Sequence, residues 1–233
     1  MEPWHCGQIM NWSHRLVLAS ALAAVVASPA LADMTGFYAP SFRGQSGSLV
    51  AGWERFTVAT NSPVGNLPDM VGSTADARIF QYEPNAFVLG SGNIYNIFNK
   101  SEFELKYTSA EDVGLVTLQI RTGGFELDYS SVGIVYDLAG TPQFLGASRV
   151  ETDRQSAGPG GVFVSSAWQW DLSALDLNAF SVQFKASEGS MSLDSVTIDT
   201  LSKTQTALVP EPGTWALLGT GAVGLLLAGW RRR

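Results

Sequence analysis

Between residues 33 and 208 the chain contains no histidine and no cysteine; its two histidines are His5 and His14, and its one cysteine is Cys6. A Ser-His-Asp triad, a Cys-His pair, a zinc site built on His or Cys, haem ligation and any disulfide are therefore excluded from that stretch. Basic residues are also scarce. Residues 33–208 carry 19 Asp and Glu against 10 Lys and Arg, a formal net of −9. With no basic cluster to neutralise phosphates, nucleic acid is not an expected partner. A balance of this kind suits an extracytoplasmic protein whose copies repel one another. Helical periodicity is missing too: no segment of 12 or more residues in this middle keeps a 3.6-residue period, and no repeat of 20–50 residues is apparent.

What is present begins with two apolar ends. His14 and Arg15 precede the run Leu16 to Ala27, which closes in Ser28-Pro29-Ala30-Leu31-Ala32. A basic start, about a dozen apolar residues and a small-x-small site at Ala30 and Ala32 make a secretory signal pattern over residues 1–32, with cleavage exposing Asp33. The run is shorter than the roughly 20 residues of a spanning helix, so an uncleaved anchor is the lesser alternative. Met10 offers a second start beside Met1, since residues 1–9 add nothing that a signal requires. The pattern implies the Sec translocon and signal peptidase as export partners.

Near the other end, residues 202–208 form a polar linker. Val209-Pro210-Glu211-Pro212-Gly213 follow, then the apolar Thr214 to Trp230, then Arg231-Arg232-Arg233. Two prolines flanking a glutamate make a stiff collar that neither continues a strand nor sits inside a helix. The 17 residues 214–230 reach the low end of membrane-spanning length. Trp215 and Trp230 stand where interfacial aromatics belong, and the three arginines stop transfer on the cytoplasmic side.

Residues 209–233 resemble the PEP-CTERM sorting signal of bacteria that make extracellular polysaccharide. The resemblance implies that an exosortase, a membrane-embedded transpeptidase, recognises the Pro210-Glu211-Pro212 collar and removes the tail. An inner-membrane precursor would then pass to the cell surface or extracellular matrix. The logic parallels other signals whose hydrophobic tail is temporary. It says nothing about the cargo's own activity.

The middle, residues 33–201, reads as an all-β domain. Phe103, Leu105 and Tyr107 alternate with Glu102, Glu104 and Lys106; Val116, Leu118 and Ile120 with Thr117, Gln119 and Arg121; Phe180, Val182 and Phe184 with Ser181, Gln183 and Lys185. One face of each strand is expected in the core and the other in water. Further strands are expected at 53–60, 77–82, 86–89, 93–98, 132–137, 143–150, 162–172 and 191–201, punctuated by Gly-rich turns. About ten short strands point to an antiparallel two-sheet sandwich, with a jelly roll as the expected arrangement. Residues 61–75 and 150–161 read as irregular loops, either of which rims a site or is a plain connector. Gly52-Trp53-Glu54-Arg55-Phe56-Thr57, Gly92-Asn93-Ile94-Tyr95 and Ser192-Leu193-Asp194-Ser195-Val196 are similar to the jelly-roll ectodomains that accompany this sorting tail.

Trp168 and Trp170 share one face of their strand, where they either stack on sugar rings or join Val162, Val164 and Leu172 in the core. Trp53 has the same two readings, and Tyr95 and Tyr129 lie beside turns. Around Asp194 the apolar phase switches, from Met191 and Leu193 to Val196 and Ile198, which predicts a bulge. Its carboxylate is expected to accept hydrogen bonds from backbone amides of a neighbouring loop, with a structural Ca²⁺ as the weaker alternative; no other cofactor is expected. Asp171 and Asp176 bracket a short turn without calcium-loop spacing, and Asn99-Lys100-Ser101 matches a glycosylation acceptor only formally. Catalysis without His or Cys would need a carboxylate pair or a Lys or Tyr base, for which Lys100, Lys106, Lys185 and Lys203 are the lysines on hand. The expected function is thus a non-catalytic surface or matrix protein that binds exopolysaccharide. A carboxylate-dependent glycosidase or lyase is one alternative, a purely structural or adhesive subunit the other.

Overall fold

A computed structural model describes residues 34–206 apart from 71, 75–76 and 159–160. The expected signal peptide 1–32, its expected cleavage residues Ala30, Ala32 and Asp33, the collar 209–213, the expected apolar helix 214–230 and Arg231, Arg232 and Arg233 lie outside the described residues. Among those described, no helix is long and apolar enough to cross a membrane.

Twelve strands are described: β1 (Ser48–Trp53), β2 (Ala77–Gln81), β3 (Phe87–Val88), β4 (Ile94–Asn96), β5 (Glu102–Thr108), β6 (Val113–Gly124), β7 (Leu127–Leu138), β8 (Thr141–Gly146), β9 (Arg149–Ser156), β10 (Val162–Asp171), β11 (Ala179–Ala186) and β12 (Met191–Ser202), followed by the single helical turn α1 (Lys203–Thr206). They form two sheets. The larger runs β3-β4-β12-β6-β10-β9, with β1 on the same side of β12 as β4, and the smaller runs β2-β5-β11-β7-β8. Every pairing is antiparallel.

The core lies between the sheets, and the three strands with the clearest alternation, β5, β6 and β11, send their apolar sets into it. Phe103 stacks on Phe184 with ring centroids 5.1 Å apart, and Tyr107 meets Phe180 at 5.2 Å. The Tyr107 hydroxyl also reaches the Thr200 hydroxyl on the opposite sheet at 2.6 Å, so a polar handle is satisfied inside an apolar layer.

Three expectations change. Thr117, Gln119 and Arg121 are not in water but buried, as are Ser165, Thr197 and Asp199 beside them. Residues 34–47 lie across this outer face as a strap: the Gln119 side-chain amide accepts from Tyr38 N and donates to Tyr38 O, both at 2.8 Å. Ser165 Oγ donates to Thr35 O at 3.0 Å, and Arg43 reaches Asp199 through Nε and Nη2 at 2.5 and 2.6 Å. Gln119, Arg121, Ser165 and Asp199 thereby find partners in the strap, as burial requires. Second, residues 54–60 are not a strand; β1 occupies Ser48–Trp53 instead. Third, most of the presumed loop 150–161 is β9, an edge strand with no buried side chain, so it carries no period-two signal.

Beside β9, Arg154 holds Glu126 at 2.8 and 2.9 Å and Glu151 at 2.9 Å, while Arg149 holds Glu151 at 2.7 Å. The Arg154 hydrogen bonds, opposed by partial burial, keep the Glu126 carboxyl below its ordinary 4.5. A depressed carboxyl contributes stability that is present above 4.5 and is lost as pH falls through the folded value. Amide protection factors in β9 should therefore fall below pH 4.5 before those in β6 and β12 do; equal losses in all three strands would show that this clamp does not hold the edge.

Candidate ligand-binding face

The outer face of the five-stranded sheet, unlike that of the larger sheet, is open. Register aligns Arg78, Lys106, Ser181, Val135 and Phe144 in one row across all five strands, and Phe80, Glu104, Gln183, Gly133 and Gly146 in the next. The row spans four interstrand spacings, on the order of 19 Å. Along it lies a shallow groove of about 410 Å³ lined by Lys106, Thr108, Val135, Asp137, Pro142 and Ser181, among others.

Aromatic rings stand at both margins. On β8, Phe144 is 55% exposed, and a Cβ added to Gly133 would collide with its ring. Glycine at 133 thus lets the ring come down onto the sheet, which a side chain there would prevent. Phe80 on β2 and Tyr82 just past its end are two apart and point the same way; their rings are nearly parallel, with centroids 6.3 Å apart. Tyr82 is 43% exposed, and Lys106 Nζ sits 4.8 Å above the Phe80 ring, a cation–π contact.

Between the margins the face is largely polar, and its two lysines are ion-paired. Lys185 pairs with Glu102 at 2.5 Å and Lys106 with Glu104 at 3.4 Å. The Tyr82 hydroxyl donates to Glu104. Burial, then that hydrogen bond, raises the Tyr82 phenol above its ordinary value. The arrangement offers apolar ring faces flanking hydroxyl, amide and carboxylate groups, the mixture that fixes an amphipathic ligand.

The residues singled out from sequence fall elsewhere. Trp53, Trp168 and Trp170 are core side chains, exposed by 4% or less; Trp53 Nε1 donates to Asn66 O at 3.0 Å and Trp170 Nε1 to Leu145 O at 2.9 Å. Their rings are enclosed between the sheets, so they are no surface platform for a ligand. Tyr95 is half-buried, edge-on to Phe87 at 5.6 Å. Tyr129 lies between the Arg149 guanidinium, 3.7 Å away, and Trp168; burial and its hydrogen bond to Glu126 push its phenol up to about 12. All four lysines are in ion pairs, Lys100 with Glu188 at 3.2 Å and Lys203 with Asp176 at 2.6 Å.

Asp194 sits at a register shift between Leu193 and Ser195 against β6, the bulge that the phase switch predicts. It accepts from Asn93 Nδ2 at 2.5 Å and pairs with Arg121 Nε at 3.0 Å. With Glu54 it lines a second cleft of about 320 Å³. Among the described residues no three His, Cys, Asp or Glu side chains converge as a metal cage would require.

The sequence points to tryptophan and not to Phe144 or the Phe80–Tyr82 pair. The available signal was the alternation Phe80-x-Tyr82 on a strand whose opposite face, Ile79 and Gln81, is buried.

No curated protein matches the chain. One protein family does, over the tail alone: the PEP-CTERM protein-sorting motif, at residues 208–233. The chain therefore carries a PEP-CTERM sorting motif behind a β-sandwich, which implies processing by an exosortase and export to the cell surface or extracellular space.

Proposed function

We propose that this is a non-catalytic protein of the cell surface or extracellular matrix, exported through the Sec route after removal of residues 1–32, whose five-stranded sheet face binds exopolysaccharide. The observation that carries the reading is the Phe144 ring laid over Gly133, in the row of the same sheet face that Phe80 begins and Tyr82 extends. Aromatic faces suit the apolar faces of sugar rings, and Ser181, Gln183 and Thr108 supply hydroxyl and amide partners. The sandwich itself is a jelly roll on this reading. In support, β1-β12-β6-β10 in one sheet faces β5-β11-β7-β8 in the other, so the chain passes repeatedly between sheets as paired Greek keys demand.

Polysaccharide pull-down with the processed protein tests the binding. Phe144→Ala and Tyr82→Ala should each weaken retention about tenfold, which is 1.4 kcal/mol, with little change in Tm because both rings are exposed. If no glycan in a broad panel is retained by the unaltered protein, the binding reading fails. Glu54 and Asp194 in one cleft favour a carboxylate hydrolase as the second reading, and reducing-sugar release lost in Glu54→Gln would establish it. For sorting, Pro210→Ala or Glu211→Ala should trap full-length precursor in the membrane; normal processing of both would refute exosortase recognition of the collar.

A further inference from the structure

The last described residues are not a loose stalk. Lys203 N donates to Asp112 O at 2.7 Å and Ser202 N to Gly47 O at 3.0 Å. Lys203 Nζ holds Asp176 at 2.6 Å and Leu175 O at 3.3 Å, and the Thr204 hydroxyl donates to Glu111 at 3.3 Å. These bonds pin α1 to the end of the sandwich where β12 finishes. From Thr206 to Pro210 is four residue steps, at most about 14 Å even when fully extended. An enzyme that acts on the collar must therefore come against this end of the folded body.

That end is electronegative. Lys203 is taken by Asp176, and among the described residues neither Glu111 nor Asp112 has an ion-pair partner. Anionic lipid headgroups repel such a surface. A basic protein rim complements it and, by steering, speeds encounter.

We infer that the end face around Glu111, Asp112 and Asp176 is a docking surface for the exosortase, which meets it through a basic rim while it works on the Pro210-Glu211-Pro212 collar. This rests on the sorting reading, which the control below tests separately.

The test is pulse-chase conversion of precursor to processed protein, with the full chain in cells that hold the exosortase. Glu111→Lys with Asp112→Lys should slow conversion about tenfold or more, the lower end of electrostatic steering effects; Glu111→Gln with Asp112→Asn should fall between. Inserting about 12 Gly and Ser residues between Thr206 and Ala207 lets the collar swing clear, so the charge variants should then convert alike. Protease resistance of the body in the same cells shows whether each variant is folded. Conversion of the folded Lys variant within twofold of normal overturns the inference, and faster conversion assigns the face to anionic lipid instead. A charge effect that survives the insertion overturns it too. Pro210→Ala runs alongside: blocked conversion there keeps the sorting reading intact, whereas normal conversion removes that reading and the docking surface together.

Discussion

Replacing Arg43 by methionine should cost about 3–5 kcal/mol of folding free energy at neutral pH, the usual consequence of stranding one member of a buried ion pair. Asp199 has no solvent exposure, and its two oxygens are met by Arg43 Nε and Nη2. Burial raises its carboxyl above the ordinary 3.8, an effect that the Arg43 hydrogen bonds and charge oppose. Because the folded value is the higher one, the folded state holds this proton more tightly than the unfolded chain. The contribution of Asp199 to stability is thus greatest below 3.8 and declines as pH rises through the folded value. Arg43→Met removes the opposing charge and pushes the carboxyl higher still. The loss measured by denaturant unfolding should accordingly shrink from pH 7 to pH 4, and Arg43→Met with Asp199→Asn should lose less than Arg43→Met alone. A cost below about 1 kcal/mol at pH 7 would mean that the strap is not held by this pair.

Asn66→Ala should cost about 3 kcal/mol, because one buried amide serves three backbone groups. Its Oδ1 accepts from Thr57 N at 2.8 Å and Val58 N at 2.9 Å, and its Nδ2 donates to Val58 O at 2.8 Å. Its own backbone pairs with Ile79 in an isolated bridge. Truncation leaves those groups without partners at a site only 2% exposed, and each stranded group costs roughly 1–3 kcal/mol. Thermal unfolding should show a Tm lower by roughly 6–12 °C. Asn66→Asp, which keeps the acceptor and loses the donor, should be intermediate; equal Tm values for Asn66→Ala and the parent would show that the segment is held by other contacts.

That asparagine also shows where a sequence stops being legible. Residues 61–75 were readable as irregular from Pro63, Pro68 and the missing alternation. Nothing local says that Asn66 ties the segment to Thr57 and Val58, since the tie depends on how the chain returns. Strands β5 and β11 were legible because their outer faces meet water and so stay polar. On β6 the same pattern misleads: its polar row looks wet, although the strap covers it and its polar groups bond to Tyr38 and Thr35. Asp194 was legible because a bulge must shift the apolar phase. The tryptophans were ambiguous in sequence because a two-residue period gives a shared face without saying which face is inside. Phe144 over Gly133 could not be found at all, because the two residues become neighbours only through the β7–β8 register. The tail was the most legible part, since its information lies in the order of adjacent residues.

The charged side chains of β9 have a consequence for crowding. A strand on the margin of a sheet offers a free row of peptide groups to any other chain that drifts alongside. Material accumulating outside cells meets many copies of itself, and no chaperone that runs on ATP is there to separate them. Arg149, Glu151, Asp153 and Arg154 on β9, and Pro142 on β8, make these two edges poor templates for fibre growth. Pairing between copies through these two edges is thus discouraged as the material becomes concentrated.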